Sequence, residues 1–142
     1  MRITGDCPLV DPKILSKMIK VYKTRKYDFV CNTMPSTFPD GFDCSVISTE
    51  AINKVESKNL NNYELEHVTP YFRRKNIYRK YNFQSDDSSF SKFKLSLDTY
   101  KDFELIKYTI LKLGFMCDYK KIKKLIKKQK KLFSKNIENK RN

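Results

Sequence analysis

The stretch RITGDCPLVDPKILSKMIKVY, residues 2–22, contains a strand, a turn and a helix start, and it decides the fold class. Arg-Ile-Thr is typical of the end of a buried strand, and Gly-Asp-Cys-Pro is typical of a turn that presents Asp6 at its tip. Asp11 suits the N-cap of a helix whose first position is Pro12. Apolar residues then recur at helical spacing, which predicts a helix to about Lys23.

Strands and helices alternate along the rest of the chain. Runs of strand-forming residues predict strands at 27–33, 42–48, 77–83 and 93–99. Helical spacing predicts helices at 50–57, from about 63 with a bend or end at Pro70, at 100–113 before Gly114, and at about 118–134. This alternation favours an α/β layered sheet, and the polar tail beyond about Ser134 is expected to be disordered.

Composition limits the class of protein. The 142 residues, 39% of them hydrophobic, suffice for one compact domain with a real core. No run of about 18 apolar residues is present, so no transmembrane helix is expected. No charged region followed by an apolar stretch opens the chain, so a signal peptide is not expected and the predicted location is the cytoplasm.

The cysteines lack the spacing of a metal site. They stand at Cys7, Cys31, Cys44 and Cys117, with no CxxC pair. Because His67 is the only histidine, a zinc site is not expected, and without an export signal neither is a disulfide framework. We interpret the thiols as reduced core residues, Cys7 included, since the sequence places no base to activate it.

The formal net charge of +14 is concentrated at the C-terminus. The segment from Asp118 onward has eleven Lys or Arg against two acids, about two thirds of the excess. Such a segment is compatible with binding to an anionic partner. It is explained equally well by an AT-rich coding sequence, which enriches Lys, Asn, Ile, Tyr and Phe without functional pressure.

Two carboxylates stand at the ends of predicted strands. Asp6 follows the first strand, and Asp98 ends the strand 93–99 just before a helix. Ligands of open α/β sheets bind at the carboxyl ends of strands, so the two carboxylates can meet there and hold Mg²⁺. The alternative is that each aspartate only caps the helix that follows it.

Four blocks of sequence, in this order, carry a resemblance to a known family. They are RITGDCPLVDP (2–12), FPDGFDCSVIS (38–48), EHVTPYFRR (66–74) and LSLDTYKDFELIK (95–107). Over roughly residues 1–115 the chain resembles the cytidylyltransferases related to spore coat polysaccharide biosynthesis protein F. These are in turn similar to the enzymes that activate 3-deoxy-manno-octulosonate and acylneuraminate as CMP-sugars.

The resemblance implies a fold and a reaction. The fold is a Rossmann-like nucleotide-diphospho-sugar transferase fold, a mixed sheet flanked by helices. The reaction joins CTP and an acidic sugar into a CMP-sugar and pyrophosphate with Mg²⁺, and the related enzymes are commonly homodimers. By resemblance, Asp6 and Asp98 are the metal aspartates. Arg73 and Arg74 either meet the anionic sugar or lie on a solvated helix face.

Further site residues come from the same resemblance. Asp40, Gly41 and Asp43 match the sugar-side loop and are implied in substrate binding. Glu66 and His67 belong to the EHVTPY block. We favour a structural or substrate-orienting role for them over a role as general base.

One expected feature of the family is missing from this sequence. The family's glycine-rich basic loop, which holds the CTP phosphates, has no counterpart, since the only glycines are Gly5, Gly41 and Gly114. By resemblance, the first strands and most of the cytosine pocket should precede Met1. We therefore expect an incomplete fold, the C-terminal part of an enzyme, with no transferase activity on its own.

The chain is expected to contain two segments, and two alternative functions are compatible with its sequence. Residues 1–116 are expected to be the C-terminal part of the cytidylyltransferase domain, and 117–142 a basic helix and disordered tail. One alternative is a non-catalytic remnant. The other is a basic binding module for nucleic acid or an anionic surface, although no nucleic-acid motif is present.

Overall fold

The computed structural model describes residues 1–56 and 60–137, which form a mixed sheet and its helices. The strands are β1 (Arg2–Ile3), β2 (Phe29–Cys31), β3 (Cys44–Ile47) and β4 (Lys80–Asn82). The helices are α1 (Pro12–Lys23), α2 (Thr49–Asn53), α3 (Asn62–His67), α4 (Thr69–Arg74), α5 (Tyr100–Leu113), α6 (Tyr119–Lys128) and α7 (Lys130–Phe133), with a short 3-10 helix at Ser88–Phe90.

The four strands lie in the order β1-β3-β2-β4. Strand β3 is antiparallel to both β1 and β2, whereas β2 and β4 are parallel. Strands β1, β2 and β4 therefore run in one direction, and their carboxyl ends lie at the same edge of the sheet as the start of β3. This edge is called the carboxyl edge below.

Helices cover both faces of the sheet. Successive residues of a strand point to opposite faces, and Val30 packs in a different core cluster from Phe29 and Cys31. The larger cluster, on the Val30 side, contains residues of α1, α5, α6 and α7. The smaller cluster contains residues of α2 and α4. The expected α/β architecture, a mixed sheet flanked by helices, is confirmed.

Local capping signals place the two longest helices. Asp11 accepts a hydrogen bond from the Lys13 N–H at 2.7 Å and begins α1 with Pro12 in its first turn. At α5, Thr99 and Asp102 form a reciprocal capping box, and Gly114 ends the helix with φ of 81°. Both helices have the bounds that the sequence predicts.

The first strand is not buried, contrary to the sequence interpretation. Ile3 is 41% exposed. The physical reason is position, because β1 lies at one end of the strand order and pairs with β3 alone among the described residues. The Arg-Ile-Thr pattern shows that a strand forms but not where it lies in the sheet.

The stretch 93–99 does not form the regular strand that its sequence predicts, and the chain bends at Ser96, Asp98 and Thr99. Its backbone N–H groups are divided among three separate segments, so no continuous ladder with one partner strand develops. The bonds are Lys94 N–H to the Asn136 carbonyl (2.9 Å), Leu95 N–H to the Asp40 carbonyl (2.8 Å) and Leu97 N–H to the Asp6 carbonyl (2.8 Å).

Three helical boundaries differ from the sequence predictions. The break after α3 falls at Val68, with φ of 62°, and Pro70 lies in the first turn of α4 instead of ending a helix. The predicted C-terminal helix is divided at Gln129 into α6 and α7. Helix α2 ends at Asn53, and the last predicted residue of that helix, Ser57, lies outside the described residues.

The C-terminal helices are part of the larger core. Ile122 and Ile126 of α6 and Phe133 of α7 are buried in the same cluster as Val30. The prediction of disorder beyond about Ser134 is wrong at Asn136, which is buried and hydrogen-bonds Asp102 of α5. The rest of the predicted disordered tail, 138–142, lies outside the described residues.

Candidate active site

Asp6 and Asp98 come from neighbouring backbone segments at the carboxyl edge. Asp6 lies in the turn after β1, and the Leu97 N–H donates to its carbonyl oxygen at 2.8 Å. Asp98 therefore follows a residue that is hydrogen-bonded to the Asp6 turn. Asp6 is half-buried and the side chain of Asp98 is 51% exposed, so both are open to a ligand.

Asp40 joins this pair through a serine. The Ser96 hydroxyl is hydrogen-bonded to Oδ2 of Asp40 and lies 3.1 Å from Oδ2 of Asp98. A hydroxyl has one proton to donate, so it satisfies one of the two carboxylates at a time. Three of the aspartates singled out from the sequence, Asp6, Asp40 and Asp98, thus lie on adjoining segments.

Lys94 lies between two acids of this region. Its Nζ is 2.7 Å from Oδ2 of Asp98 and 2.6 Å from Oδ2 of Asp102. Burial alone would raise the pKa of Asp102, but hydrogen bonds from Lys94, Asn136 and Thr99 hold that pKa well below its usual value. Burial alone would lower the pKa of Lys94, and the two carboxylates raise it. Lys94 and Asp102 are therefore both ionised at neutral pH.

Gly41 permits close contact between two loops. Its φ is 93°, and a Cβ atom there would lie 2.5 Å from the carbonyl carbon of Leu95. The hydrogen bonds that join the Asp40 loop to 93–95 require this approach, since Leu95 donates to the Asp40 carbonyl at 2.8 Å. A structural reason thus exists for glycine at this position, and its predicted role in sugar binding stays a prediction.

Asp43 lies at the same edge as Asp6. It immediately precedes β3, whose first residue, Cys44, pairs with Ile3 of β1. Burial raises the pKa of the Cys7 thiol to about 11, and the charges of Asp6 and Asp43 contribute in the same direction. A thiol with this pKa is a poor nucleophile, which supports the interpretation of Cys7 as a packing residue.

Glu66 and His67 are exposed on α3. The His67 ring contacts the Tyr63 ring on the same helix, with centroids 4.4 Å apart. The buried acid of this helix is Glu64, which sequence reasoning missed and which is 2.7 Å from Nη2 of Arg74. The proposed substrate contacts of Glu66 and His67 stay predictions.

The two adjacent arginines of α4 have different surroundings. Nη2 of Arg73 donates to Oγ1 of Thr33 at 2.5 Å, just beyond the carboxyl end of β2. The buried Nε of Arg73 has no hydrogen-bond partner among the described residues. Arg74 points to Glu64 instead. Of the two, Arg73 is the one at the carboxyl edge, a distinction that the sequence interpretation did not make.

The chemistry of these side chains restricts the cation that they can hold. Asp6 and Asp98 offer hard carboxylate oxygens, and within 1–56 and 60–137 no group of three or more His, Cys, Asp or Glu is arranged to hold a metal ion. Two carboxylates suit a cation that keeps waters and phosphate oxygens as its other ligands, as Mg²⁺ does. The assignment of Asp6 and Asp98 as metal ligands stays a prediction.

Comparison with known proteins identifies the family. Residues 1–140 match the cytidylyltransferase family, so the chain belongs to that family. The match extends past the quoted motifs and through α6 and α7.

Among the helices that the structure describes, none is long and apolar enough to cross a membrane.

Individual relatives agree with this assignment. An uncharacterized protein of Methanocaldococcus jannaschii is 27% identical over 107 residues, 74% of this chain and 43% of that protein. The spore coat polysaccharide biosynthesis protein SpsF of Bacillus subtilis is 29% identical over 121 residues, 80% of this chain and 48% of that protein. The chain thus spans less than half the length of these curated relatives.

A solved structure has the same fold. The chain superimposes on a cytidylyltransferase from Leptospira borgpetersenii serovar Hardjo-bovis with a TM-score of 0.85 and 29% sequence identity. The superposition covers 98% of this chain and 60% of that chain.

Proposed function

We propose that this chain forms the metal- and sugar-binding part of a cytidylyltransferase that makes a CMP-sugar from CTP and an acidic sugar for surface polysaccharide biosynthesis. The observation that carries the proposal is the meeting of Asp6, Asp40 and Asp98 on adjoining segments at the carboxyl edge. Ligand sites of open α/β sheets lie at this edge.

The reaction moves a nucleotidyl group. The oxygen of a sugar hydroxyl attacks the α-phosphorus of CTP and forms a new P–O bond, while the hydroxyl proton passes to solvent. The bond between the α-phosphorus and the oxygen that bridges to the β-phosphate breaks, and pyrophosphate leaves with that oxygen. The Asp6 and Asp98 carboxylates would hold Mg²⁺, which neutralises negative charge on the phosphates when it is bound. Asp40 and Asp43 provide acceptors that can orient sugar hydroxyls.

The position of Arg73 supports the assignment of an acidic sugar as the substrate. A guanidinium binds a carboxylate through parallel N–H donors, and Arg73 is held at the carboxyl edge by Thr33. The negative charges of Asp6, Asp40 and Asp98 on adjoining segments at the carboxyl edge favour a cation between these carboxylates and any phosphate. We therefore assign the sugar carboxylate to Arg73 and the phosphates to the cation.

The experiment uses a fusion, because this chain spans less than half of its curated relatives. The 142-residue chain is joined to the part of the Leptospira cytidylyltransferase that lies outside the match, and pyrophosphate release from CTP is measured with acidic and neutral sugars. We expect release that requires Mg²⁺ and an acidic sugar. The 142-residue chain alone is expected to release none.

Matched variants test which carboxylates the pyrophosphate release requires. Asp6→Asn and Asp98→Asn in the fusion should lower kcat by about a hundredfold or more, since each removes a ligand of the cation. Asp86→Asn should leave kcat unchanged, because Asp86 is an exposed acid paired with Lys123. A folded fusion that releases no pyrophosphate with any acidic sugar, beside an active Leptospira enzyme, would contradict the proposed function.

A further inference from the structure

Lys94 bridges the proposed metal aspartate and a buried acid. Its ammonium lies 2.7 Å from Oδ2 of Asp98 and 2.6 Å from Oδ2 of Asp102. The Lys94 side chain is 18% exposed, whereas that of Asp102 is 2% exposed. Asp98, at 51%, faces solvent. The bridge therefore joins the interior of the fold to the exposed carboxylate.

Asp102 is held rigidly at the start of α5. Its Oδ2 accepts from the Thr99 N–H at 2.8 Å and from the Asp98 N–H at 3.2 Å, in addition to Lys94. Its Oδ1 accepts from the side-chain amide of Asn136 at 2.8 Å. Because both oxygens are engaged, Asp102 is a fixed anchor for the Lys94 ammonium.

Asn136 holds the other end of the same lysine. The Lys94 N–H donates to the Asn136 carbonyl at 2.9 Å, and Nδ2 of Asn136 donates to the Lys94 carbonyl at 3.0 Å. The same Nδ2 donates its second proton to Asp102. This single buried residue of the C-terminal segment therefore fixes both the backbone of Lys94 and the acid that holds its side chain.

We infer that Lys94 is a positioning residue for the Asp98 carboxylate, fixed by Asp102 and, through it, by Asn136. The inference rests on the proposed role of Asp98 as a cation ligand. Lys94 engages Oδ2 of Asp98, and the Ser96 hydroxyl lies 3.1 Å from the same oxygen, so Oδ1 is the oxygen that we assign to the cation. Residues that orient a metal ligand commonly affect metal affinity about 10–100-fold.

Charge and positioning predict opposite results for the loss of Lys94. If the lysine acted only through its charge, its removal would make the site more negative and strengthen cation binding. If it positions Asp98, its removal frees the carboxylate to rotate and weakens cation binding. The direction of the change therefore distinguishes the two roles.

The experiment is a titration of the purified 142-residue chain with Mn²⁺, followed by the loss of the EPR signal of the free ion. We expect Lys94→Met to weaken Mn²⁺ binding by about tenfold or more. Lys94→Arg, which keeps the charge and the donors, should remain within about threefold of the unmodified chain. Lys92→Met, which removes an exposed ammonium two residues away, should bind Mn²⁺ as the unmodified chain does.

Asn136→Ala provides an independent test, since it loosens Asp102 without removing a charge or touching Asp98. It should weaken Mn²⁺ binding at temperatures well below its unfolding transition, which is followed by circular dichroism. If Lys94→Met does not fold, this variant alone decides the question. Unchanged Mn²⁺ affinity in Asn136→Ala would then overturn the inference.

The Mn²⁺ titrations distinguish a failure of the positioning role of Lys94 from a failure of the metal site at Asp98. If the unmodified chain binds Mn²⁺, Asp98→Asn does not, and Lys94→Met binds as tightly or more tightly, the positioning role is overturned and the metal site stands. If Asp98→Asn binds Mn²⁺ as well as the unmodified chain, or if the unmodified chain binds none, both the metal site and the positioning role are overturned.

Discussion

The Leu97 N–H donates to the carbonyl oxygen of Asp6 at 2.8 Å, and this bond joins the segment that ends in Asp98 to the turn after β1. The two segments are far apart in the sequence. Their contact brings two aspartates to one edge of the sheet, beside the Asp40 loop. The cation and substrate chemistry proposed for the chain depends on this contact.

Gly41→Ala is expected to destabilise the fold by more than about 2 kcal/mol. The new Cβ would lie 2.5 Å from the Leu95 carbonyl carbon, and alanine disfavours φ of 93°. Urea unfolding at pH 7 measures the effect. Gly5→Ala is the matched control, because apart from Gly5 and its two chain neighbours no atom in the described part of the chain lies within 4 Å of the Cβ that it adds. Equal stability of the two variants would show that the loops do not approach so closely.

Asp102→Asn is expected to lower the free energy of unfolding at pH 7 by about 1–3 kcal/mol. The pKa of Asp102 is held below its ordinary value of 3.8, so its carboxylate stabilises the fold above about pH 4. This contribution is lost as the pH falls through the folded-state pKa. The difference from the unmodified chain should therefore shrink in acid.

Denaturant unfolding between pH 7 and pH 3 tests this dependence. Glu104→Gln is the control, since Glu104 is an exposed acid on the same helix. It should change the free energy of unfolding little at any pH. A difference for Asp102→Asn that stays constant across the range would show that the carboxylate charge does not stabilise the fold.

The thiols of the folded chain are expected to react slowly with an alkylating reagent. All four cysteines are free and buried, and burial raises the pKa of Cys7 to about 11 and that of Cys44 to about 12. At pH 8 only about one Cys7 thiol in a thousand is then ionised. Mass spectrometry should find four labels in denaturant and almost none before unfolding. Rapid labelling of Cys7 at pH 8 would argue for an accessible, activated thiol.

Arg73→Met in the fusion is expected to raise KM for the acidic sugar about tenfold or more and to change KM for CTP little. The reason is that Arg73 is assigned to the sugar carboxylate. Arg74→Met is the matched control, because Arg74 is paired with Glu64 on α3. It should lower thermal stability and leave KM for the sugar unchanged. The same KM for the sugar in both variants would show that Arg73 does not bind the sugar carboxylate.

Local signals in the sequence predict much of the fold. The bounds of α1 and α5 follow from Asp11 and Thr99 as caps and from Gly114 as a stop, and each signal lies next to the helix that it limits. The break at Val68 could not be predicted in this way. A β-branched residue rarely has φ of 62°, so the residue type at Val68 argues against a break there.

The site was predicted only in part, for a related reason. Asp6 and Asp98 are predicted because each stands at the end of a run of strand-forming residues, a pattern visible along the chain. The roles of Lys94, Ser96 and Asn136 depend on hydrogen bonds between segments that are distant in sequence. Nothing in the residues around them indicates those partners. The irregular pairing of 93–99 has the same origin.

The role of Asp6 and Asp98 as cation ligands is tested most directly by locating Mn²⁺ through anomalous scattering in crystals of the chain soaked with that ion. We expect one strong peak between the carboxylates of Asp6 and Asp98, within coordination distance of an oxygen of each. Asp98→Asn crystals should lack the peak. Clear density for both side chains with no peak between them, or a peak at another group of residues, would show that these two aspartates do not bind the cation.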